Sequence, residues 1–164
     1  ANNELSKTNL TKEIVRRGIE AERLIFGASL DRPEYMARYR VADLFLDTQP
    51  YNAGTTASDA LRMGLPMLTL IGESYQARMG ASILSALNLP ELITNSPEEY
   101  ELLAIELASN PEKLKSIKDK LARNLSTAPL FDTKLFTKSL ESAYTKMYER
   151  YQQGLEPDHI YVEV

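Results

Sequence analysis

The sequence contains no cysteine and only one histidine, and each of these scarcities excludes a class of chemistry. A chain without cysteine has no disulfide framework and no thiolate that could act as a nucleophile or bind a metal. His159 stands near the end of the chain, where no neighbours in the sequence complete a metal site. We therefore predict no metal, and an intracellular, cytoplasmic protein is the default expectation.

A concentrated basic region and a long apolar run are also missing. The net charge is −4, and the basic residues are scattered through predicted helices, which is not the electrostatic pattern of a nucleic-acid-binding surface. No stretch approaches the roughly 18 apolar residues of a membrane span. The first ten residues, "ANNELSKTNL", are polar where a signal peptide needs a basic and then an apolar segment. We expect neither nucleic acid nor membrane as a partner.

What is present fits one globular domain. The chain has 164 residues, of which 43% are apolar, enough to fill a sizeable core. It does not begin with methionine, and residues 1–9 lead directly into a helical pattern that ends at Gly18. We therefore expect the chain to be part of a longer protein.

Short apolar runs alternate with helical patterns in the first part of the chain. Such runs are typical of strands covered on both faces. Helical patterns follow from Pro33, over 56–63 and from Tyr75. This alternation predicts an α/β fold, a Rossmann-like parallel sheet with flanking helices. The predicted strands are "RLIFGA" (23–28), "ADLFLD" (42–47), "PMLTLI" (66–71) and "ELIT" (91–94).

From residue 96 onward the strand patterns stop and helix start signals take over. Ser96, Asn110 and Asp132 each precede a helical pattern as a candidate N-cap. The last helix is predicted over roughly 132–153, and the tail after Gly154 is expected to lie extended. The single domain, 1–164, is thus divided into an α/β part, 1–95, and a helical part, 96–164.

The turn between the second predicted strand and the short helix after it is the best candidate for a ligand site. Ligands of open α/β sheets bind outside the carboxyl ends of the strands. Gly54 lets a ligand approach the backbone, and the amides and hydroxyls of Thr55 and Thr56 could bind a phosphate. Asp59 could accept hydrogen bonds from ribose hydroxyls. From spacing alone, a capping box from Thr56 to Asp59 is the favoured alternative.

This turn matches neither of the common phosphate-binding glycine motifs, so a P-loop and a dinucleotide fingerprint are both excluded. Two arginines farther along, Arg62 and Arg78, could reach a phosphate, but a place on solvated helix faces is favoured for both. Tyr51 is the aromatic candidate because it lies in the turn itself.

The segment "ADLFLDTQPYNAGTTASDALRMGLPMLTLIGESYQARMGASIL" resembles the carboxyl-terminal catalytic lobe of the O-linked N-acetylglucosamine transferase family, including its bacterial SPINDLY-like members. The resemblance continues through "LPELITNSPEEYELLAIELA" and "APLFDTKLFTKSLESAYTKMYERYQQGLEPDHI". It implies the second of two Rossmann-like lobes in a GT-B glycosyltransferase, often preceded by tetratricopeptide repeats. The implied reaction transfers N-acetylglucosamine or a related hexose from a UDP donor to Ser or Thr of proteins, with no metal or other cofactor.

The resemblance also assigns roles to single residues. Thr55 and Thr56 match the family's paired threonines at the donor phosphates, and Asp59 matches its ribose-binding aspartate. Gly54 stands where the family usually has histidine, and Tyr35 stands where human-like members have histidine. The glycine removes a donor beside the diphosphate, so donor affinity or rate is expected to fall.

The resemblance implies three further donor-binding positions, two of them near the uracil. Arg38 matches an arginine near the uracil, and the backbone of Leu30 falls where the family contacts the base. Arg32 replaces a family lysine, which keeps the charge but changes its shape.

Two strands of a complete lobe and a catalytic lysine would precede this chain, according to the resemblance, and the general base would lie in the other lobe. We therefore assign no catalytic residue and expect the fragment alone to be inactive. Without those strands the sheet would open beside "ADLFLD". We expect "RLIFGA" to move there, or another copy of the chain to fill the gap as a homo-oligomer.

Two other functions remain open beside sugar transfer. A non-catalytic nucleotide-binding or domain-interaction module is the main alternative, because Gly54 lacks the family's side chain. An NAD-dependent oxidoreductase is the third, although its glycine fingerprint is absent.

Overall fold

The computed structural model describes residues 3–162, and the chain divides into two compact units between Tyr35 and Met36. The α-helices are α1 (Glu4–Arg16), α2 (Arg32–Arg38), α3 (Thr55–Arg62), α4 (Tyr75–Ala86), α5 (Pro97–Ser109), α6 (Pro111–Leu125) and α7 (Thr133–Gln152). The strands are β1 (Phe45–Leu46), β2 (Met67–Leu70) and β3 (Ile93–Thr94). Short 3₁₀ helices cover Ala21–Arg23, Tyr39–Val41, Pro90–Leu92 and Pro129–Phe131.

The first unit is built around α1. Asn3 caps this helix by accepting a hydrogen bond from the Ser6 amide at 2.7 Å, as expected of an N-cap asparagine. The predicted strand at 23–28 is wrong, because Ala21–Arg23 form a 3₁₀ helix and residues 24–28 have no regular structure. Ile25 within this run is 86% exposed. The run is apolar enough for a strand, but its residues form none, so the predicted strand pairing with "ADLFLD" is wrong.

The second unit carries a three-stranded parallel sheet in the order β1-β2-β3. Phe45 is in register with Met67, and Thr69 is in register with Ile93. The strands predicted at 42–47, 66–71 and 91–94 are therefore confirmed, although each is shorter than its apolar run. Helices α3 and α4 follow β1 and β2, so the predicted alternation of strand and helix holds in this unit. The prediction that another copy pairs beside β1 stays a prediction.

Start signals predicted the three later helices correctly. The side chains of Ser96, Asn110 and Asp132 accept hydrogen bonds from the amide three residues ahead, at 3.1, 3.1 and 2.9 Å. The Glu99 carboxylate in the first turn of α5 accepts a hydrogen bond from the Asn95 amide at 2.8 Å. In a standard capping box it would accept from the amide of the N-cap residue, Ser96, one residue later. The extent predicted for the last helix agrees with α7, and no regular structure follows Gly154 in the described residues.

The core of the second unit lies between the sheet and the helices α3 to α6. Its members are almost all leucines and other aliphatic side chains that lose their contact with water, which is the main favourable term in folding. The largest fully buried ones are Leu61, Met67, Leu68, Leu84, Leu87, Leu89, Leu92, Leu107 and Leu121. Among the described residues, no helix is long and apolar enough to cross a membrane.

Candidate functional site

The turn after β1 lines an open depression of about 470 Å³. It lies at the carboxyl end of a parallel strand and at the start of the following helix, the place where ligands of α/β sheets bind. The lining residues are Phe45, Leu46, Asp47, Thr48, Tyr51, Asn52, Ala53, Gly54, Thr55 and Thr56. The structure thus brings together three of the residues predicted from the sequence, Gly54, Thr55 and Thr56.

At the start of α3, two backbone amides make no hydrogen bond within the described residues. The N-cap is Gly54, which has no side chain, and its carbonyl accepts the first helical bond from the Ser58 amide at 3.0 Å. Within residues 3–162, no acceptor is found for the amides of Thr55 and Thr56. Both residues are exposed. Unpaired amides and the positive end of the helix dipole together favour an anion at this position.

The capping-box alternative for this helix is wrong. Thr56 is the second residue of α3 rather than its cap, and the N-cap makes no side-chain hydrogen bond. The sequence suggested the box because Thr and Asp stand three residues apart. The helix begins two residues earlier than that pattern requires, at Thr55, so the Thr56 hydroxyl does not cap it.

Asp47 is the buried centre behind the turn, and the sequence did not single it out. Its carboxylate is 3% exposed. Oδ1 accepts from the amide of Ala53 at 2.7 Å. Oδ2 accepts from Asn52 Nδ2 at 2.8 Å and from the Thr69 hydroxyl at 2.6 Å. The first two bonds join Asp47 to its own turn, and the third joins it to β2.

Asn52 also belongs to this cluster, and its burial costs free energy. Its Nδ2 also lies within hydrogen-bond distance of Thr69 Oγ1 (3.0 Å) and the Leu70 carbonyl (3.1 Å), while its own Oδ1 is buried without a partner in the described residues. Rotating the amide would set Oδ1 against the Asp47 carboxylate and the Leu70 carbonyl, so the chemistry fixes its orientation. A buried carbonyl without a donor costs about 1–3 kcal/mol.

Tyr100 on α5 also contacts Asp47. Its hydroxyl donates to the Asp47 carbonyl at 2.9 Å. Burial raises the pKa of the Tyr100 phenol, and the negative charge of Asp47 raises the pKa further. Both effects disfavour the phenolate. The strand end at Asp47 is therefore held by residues from the turn, from β2 and from α5.

The shift of Tyr100 predicts a pH dependence of stability. Because the folded-state pKa lies above the unfolded value of about 10, the unfolded chain loses its proton first. The stabilisation is complete below about pH 10, and the free energy of unfolding falls as the pH rises from there through the folded-state pKa. Tyr100→Phe should remove this part of the decline in urea unfolding experiments, whereas Tyr144→Phe, at an exposed tyrosine of α7, should not. Equal declines in both variants would contradict the assignment.

The remaining predicted site residues are placed less directly. Asp59 is 9% exposed and does not line the depression, so its role at a ribose stays a prediction. Arg38 is half-buried at the end of α2, while Leu30 and Arg32 belong to the first unit and are exposed. Their contacts with a base also stay predictions. In residues 3–162, no group of three His, Cys, Asp or Glu side chains is arranged to hold a metal.

Two side chains named from the sequence have clear positions. Tyr51 is 76% exposed and lines the depression, as expected of an aromatic residue that could touch a ligand. Arg62, the last residue of α3, places its guanidinium 5.0 Å from the centre of the Phe131 ring. This cation–π contact accounts for Arg62 and places it at the end of α3 opposite the free amides.

Comparisons with known proteins show which family the chain resembles. The model of glycosyl transferase family 41 matches residues 3–140. The chain is 33% identical, over 93% of its length, to UDP-N-acetylglucosamine–peptide N-acetylglucosaminyltransferase of Caenorhabditis elegans. It is 37% identical, over 89% of its length, to the probable enzyme of this name, SEC, of Arabidopsis thaliana. The matches cover 13% and 15% of these relatives, so the chain spans only a small part of their length.

A solved structure extends the comparison from the sequence to the fold. The chain superposes on a point mutant of Thermobaculum terrenum O-GlcNAc transferase with a TM-score of 0.85 and 32% identity, covering 93% of this chain and 29% of that one. The match confirms the predicted fold, the carboxyl-terminal lobe of a GT-B transferase with its parallel sheet. The chain therefore belongs to glycosyl transferase family 41.

Proposed function

We propose that this chain is the donor-binding part of a protein O-glycosyltransferase. The donor is a UDP-sugar, UDP-N-acetylglucosamine or a related hexose, and the acceptor is Ser or Thr of a protein. Membership in family 41 supports the proposal, as do the activities named for the relatives. A second lobe and tetratricopeptide repeats would be its partners, and the cysteine-free composition is consistent with work in the cytoplasm.

The observation that carries the proposal is the pair of exposed threonines with unused amides at the start of α3. A diphosphate needs several donors in a small space, and the first turn of a helix supplies them with the favourable end of the dipole. The threonine hydroxyls add further donors beside these amides. The depression of about 470 Å³ in front of them lies within the range of small-molecule sites.

The chemistry proposed for the complete enzyme is an inverting displacement at the anomeric carbon. The acceptor oxygen forms the new bond to that carbon and gives up its proton to a base. The bond from the anomeric carbon to the diphosphate oxygen breaks, and its electron pair leaves with UDP. Amides at the start of α3 would stabilise the charge that develops on the departing phosphate, and the lobe would hold the donor in place for attack.

Calorimetry with UDP tests the proposal. Thr55→Val keeps the backbone and the side-chain shape but removes one hydroxyl, so we expect UDP affinity to fall about threefold to tenfold, the value of one hydrogen bond. The matched control is Thr133→Val, because Thr133 is the first residue of α7 and is equally exposed. This control should bind UDP as the parent does.

Asp59→Ala tests whether Asp59 contributes to donor binding or only to the stability of the fold. If Asp59 holds the ribose, the variant should bind UDP more weakly at unchanged affinity for inorganic pyrophosphate. If Asp59 only stabilises the fold, the variant should lose unfolding free energy and keep its ratio of the two affinities. A parent chain that releases no heat with UDP would contradict the proposed function.

A further inference from the structure

The buried carboxylate of Asp47 is not explained by donor binding as described so far. It makes no ion pair with any residue in the described part of the chain. A buried carboxylate is costly unless hydrogen bonds replace its lost water, and Asp47 receives three of them. The nearby Asn52 adds a further cost through its unpaired Oδ1. Apolar side chains of similar size would avoid both costs.

The geometry of the three bonds suggests what the cluster provides. Two of them come from Asn52 and from the amide of Ala53, five and six residues along the same turn. Ala53 is followed directly by Gly54, the N-cap of α3. The carboxylate therefore fixes the last residues before the helix start. It also takes up the Ala53 amide, while the amides of Thr55 and Thr56 stay without a protein acceptor.

We propose that Asp47 is a positioning residue for the donor diphosphate: it holds the turn so that the start of α3 meets the ligand in a fixed geometry. The proposal rests on the proposed function and deepens it. Asp47 acts through Asn52 and Ala53 and donates nothing to the ligand, because an ionised carboxylate is an acceptor only. A preformed arrangement of donors binds more tightly because less is lost in ordering it.

Asp47→Asn is the sharpest variant, because it keeps the shape and removes one acceptor. If its oxygen faces Ala53, its NH₂ group faces Asn52 Nδ2, which is also a donor. If the amide is turned, its NH₂ group faces the Ala53 amide instead. In either orientation one of the two bonds to the turn is lost. Asn52→Ala removes a turn bond while keeping the Asp47 carboxylate, and serves as the second variant should Asp47→Asn fold poorly.

Thr69→Val is the matched control. It removes the hydrogen bond from β2 to the same carboxylate, together with the contact between Asn52 Nδ2 and Thr69 Oγ1, and it leaves the two bonds between Asp47 and the turn in place. The whole chain and each variant are compared in two measurements, UDP affinity by calorimetry and unfolding by urea. Amide chemical shifts of residues 48–56, recorded without ligand, report directly on the turn.

We expect Asp47→Asn to weaken UDP binding about tenfold or more, the size of one charge-assisted hydrogen bond, and to shift the amide signals of 48–56. Thr69→Val should stay within about threefold of the parent in UDP affinity, even where its loss of unfolding free energy is similar. Affinity losses that follow stability equally in all variants would overturn the positioning role. If the parent binds no UDP, the proposed function fails, and the amide shifts decide alone: signals of 48–56 that stay in place in Asp47→Asn overturn the inference.

Discussion

Gly80→Ala should destabilise the fold by about 3 kcal/mol, against the usual effect of this substitution in a helix. Alanine in place of glycine inside a helix normally stabilises by about 1 kcal/mol. A Cβ at this position of α4 would lie 2.6 Å from Asp47 Oδ2 and 2.7 Å from Thr69 Oγ1. Overpacking costs about 1–3 kcal/mol, and displacing a buried hydrogen-bonded carboxylate adds a similar amount. Urea unfolding measures the sum.

Ser85→Ala in the same helix provides the control for this result. Ser85 is exposed, so its replacement changes helix propensity with little change in packing and should leave stability equal or slightly higher. A Gly80→Ala chain as stable as the Ser85→Ala chain would mean that α4 can move away from Asp47 at little cost. The close approach of α4 would then not be part of what holds the turn.

Features fixed by neighbours in the sequence were predictable here. A helix cap depends on one side chain and an amide three residues away, and the caps at Ser96, Asn110 and Asp132 all form. The helix after β1 was found because the alternation of apolar and polar residues changes its period there. Even so, the pattern predicted the cap at Thr56, two residues after the observed cap Gly54, because a glycine cap has no side chain that the pattern could detect.

Features that depend on distant residues were not predictable in the same way. Asp47 and Asn52 both stand in the turn, yet the cluster becomes visible only with Thr69, which lies 22 residues beyond Asp47. At 23–28, in contrast, the sequence predicted a strand that does not form. Its composition suits a strand, but a strand forms only where a partner supplies hydrogen bonds, and composition does not report on partners.

The ligand-binding potential of the amides at the start of α3 was predictable only in part. The glycine and the paired threonines were recognised from the sequence. In the structure Thr55 and Thr56 are exposed, and their amides have no acceptor among the described residues. What the sequence could not show is that Gly54 caps this helix without a side chain. A side chain at this position would lie directly beside the two free amides.

Gly54→His should therefore tighten UDP binding, by about tenfold. The backbone at Gly54 has φ −108°, outside the positive-φ region that favours glycine. A Cβ there would meet only Met79 Cγ, at the ordinary contact distance of 3.5 Å. An imidazole beside the threonine amides would add a donor to the diphosphate, and hydrogen bonds to charged groups contribute about 1.5–3 kcal/mol. Calorimetry with UDP, on the parent and the variant, measures the gain.

Two measurements would distinguish an effect of the imidazole from an effect that any side chain would have at this position. Gly54→Ala adds the Cβ without a donor, so it should bind UDP no more tightly than the parent. The gain of Gly54→His should also grow as the pH falls through the histidine pKa, near about 6.5, because the charged ring is the better partner for a phosphate. A gain equal in both variants, or one independent of pH, would mean that the side chain acts by ordering the turn. In that case the binding energy would come from the same source as the Asp47 cluster, and Gly54→His combined with Asp47→Asn would recover much of the lost affinity.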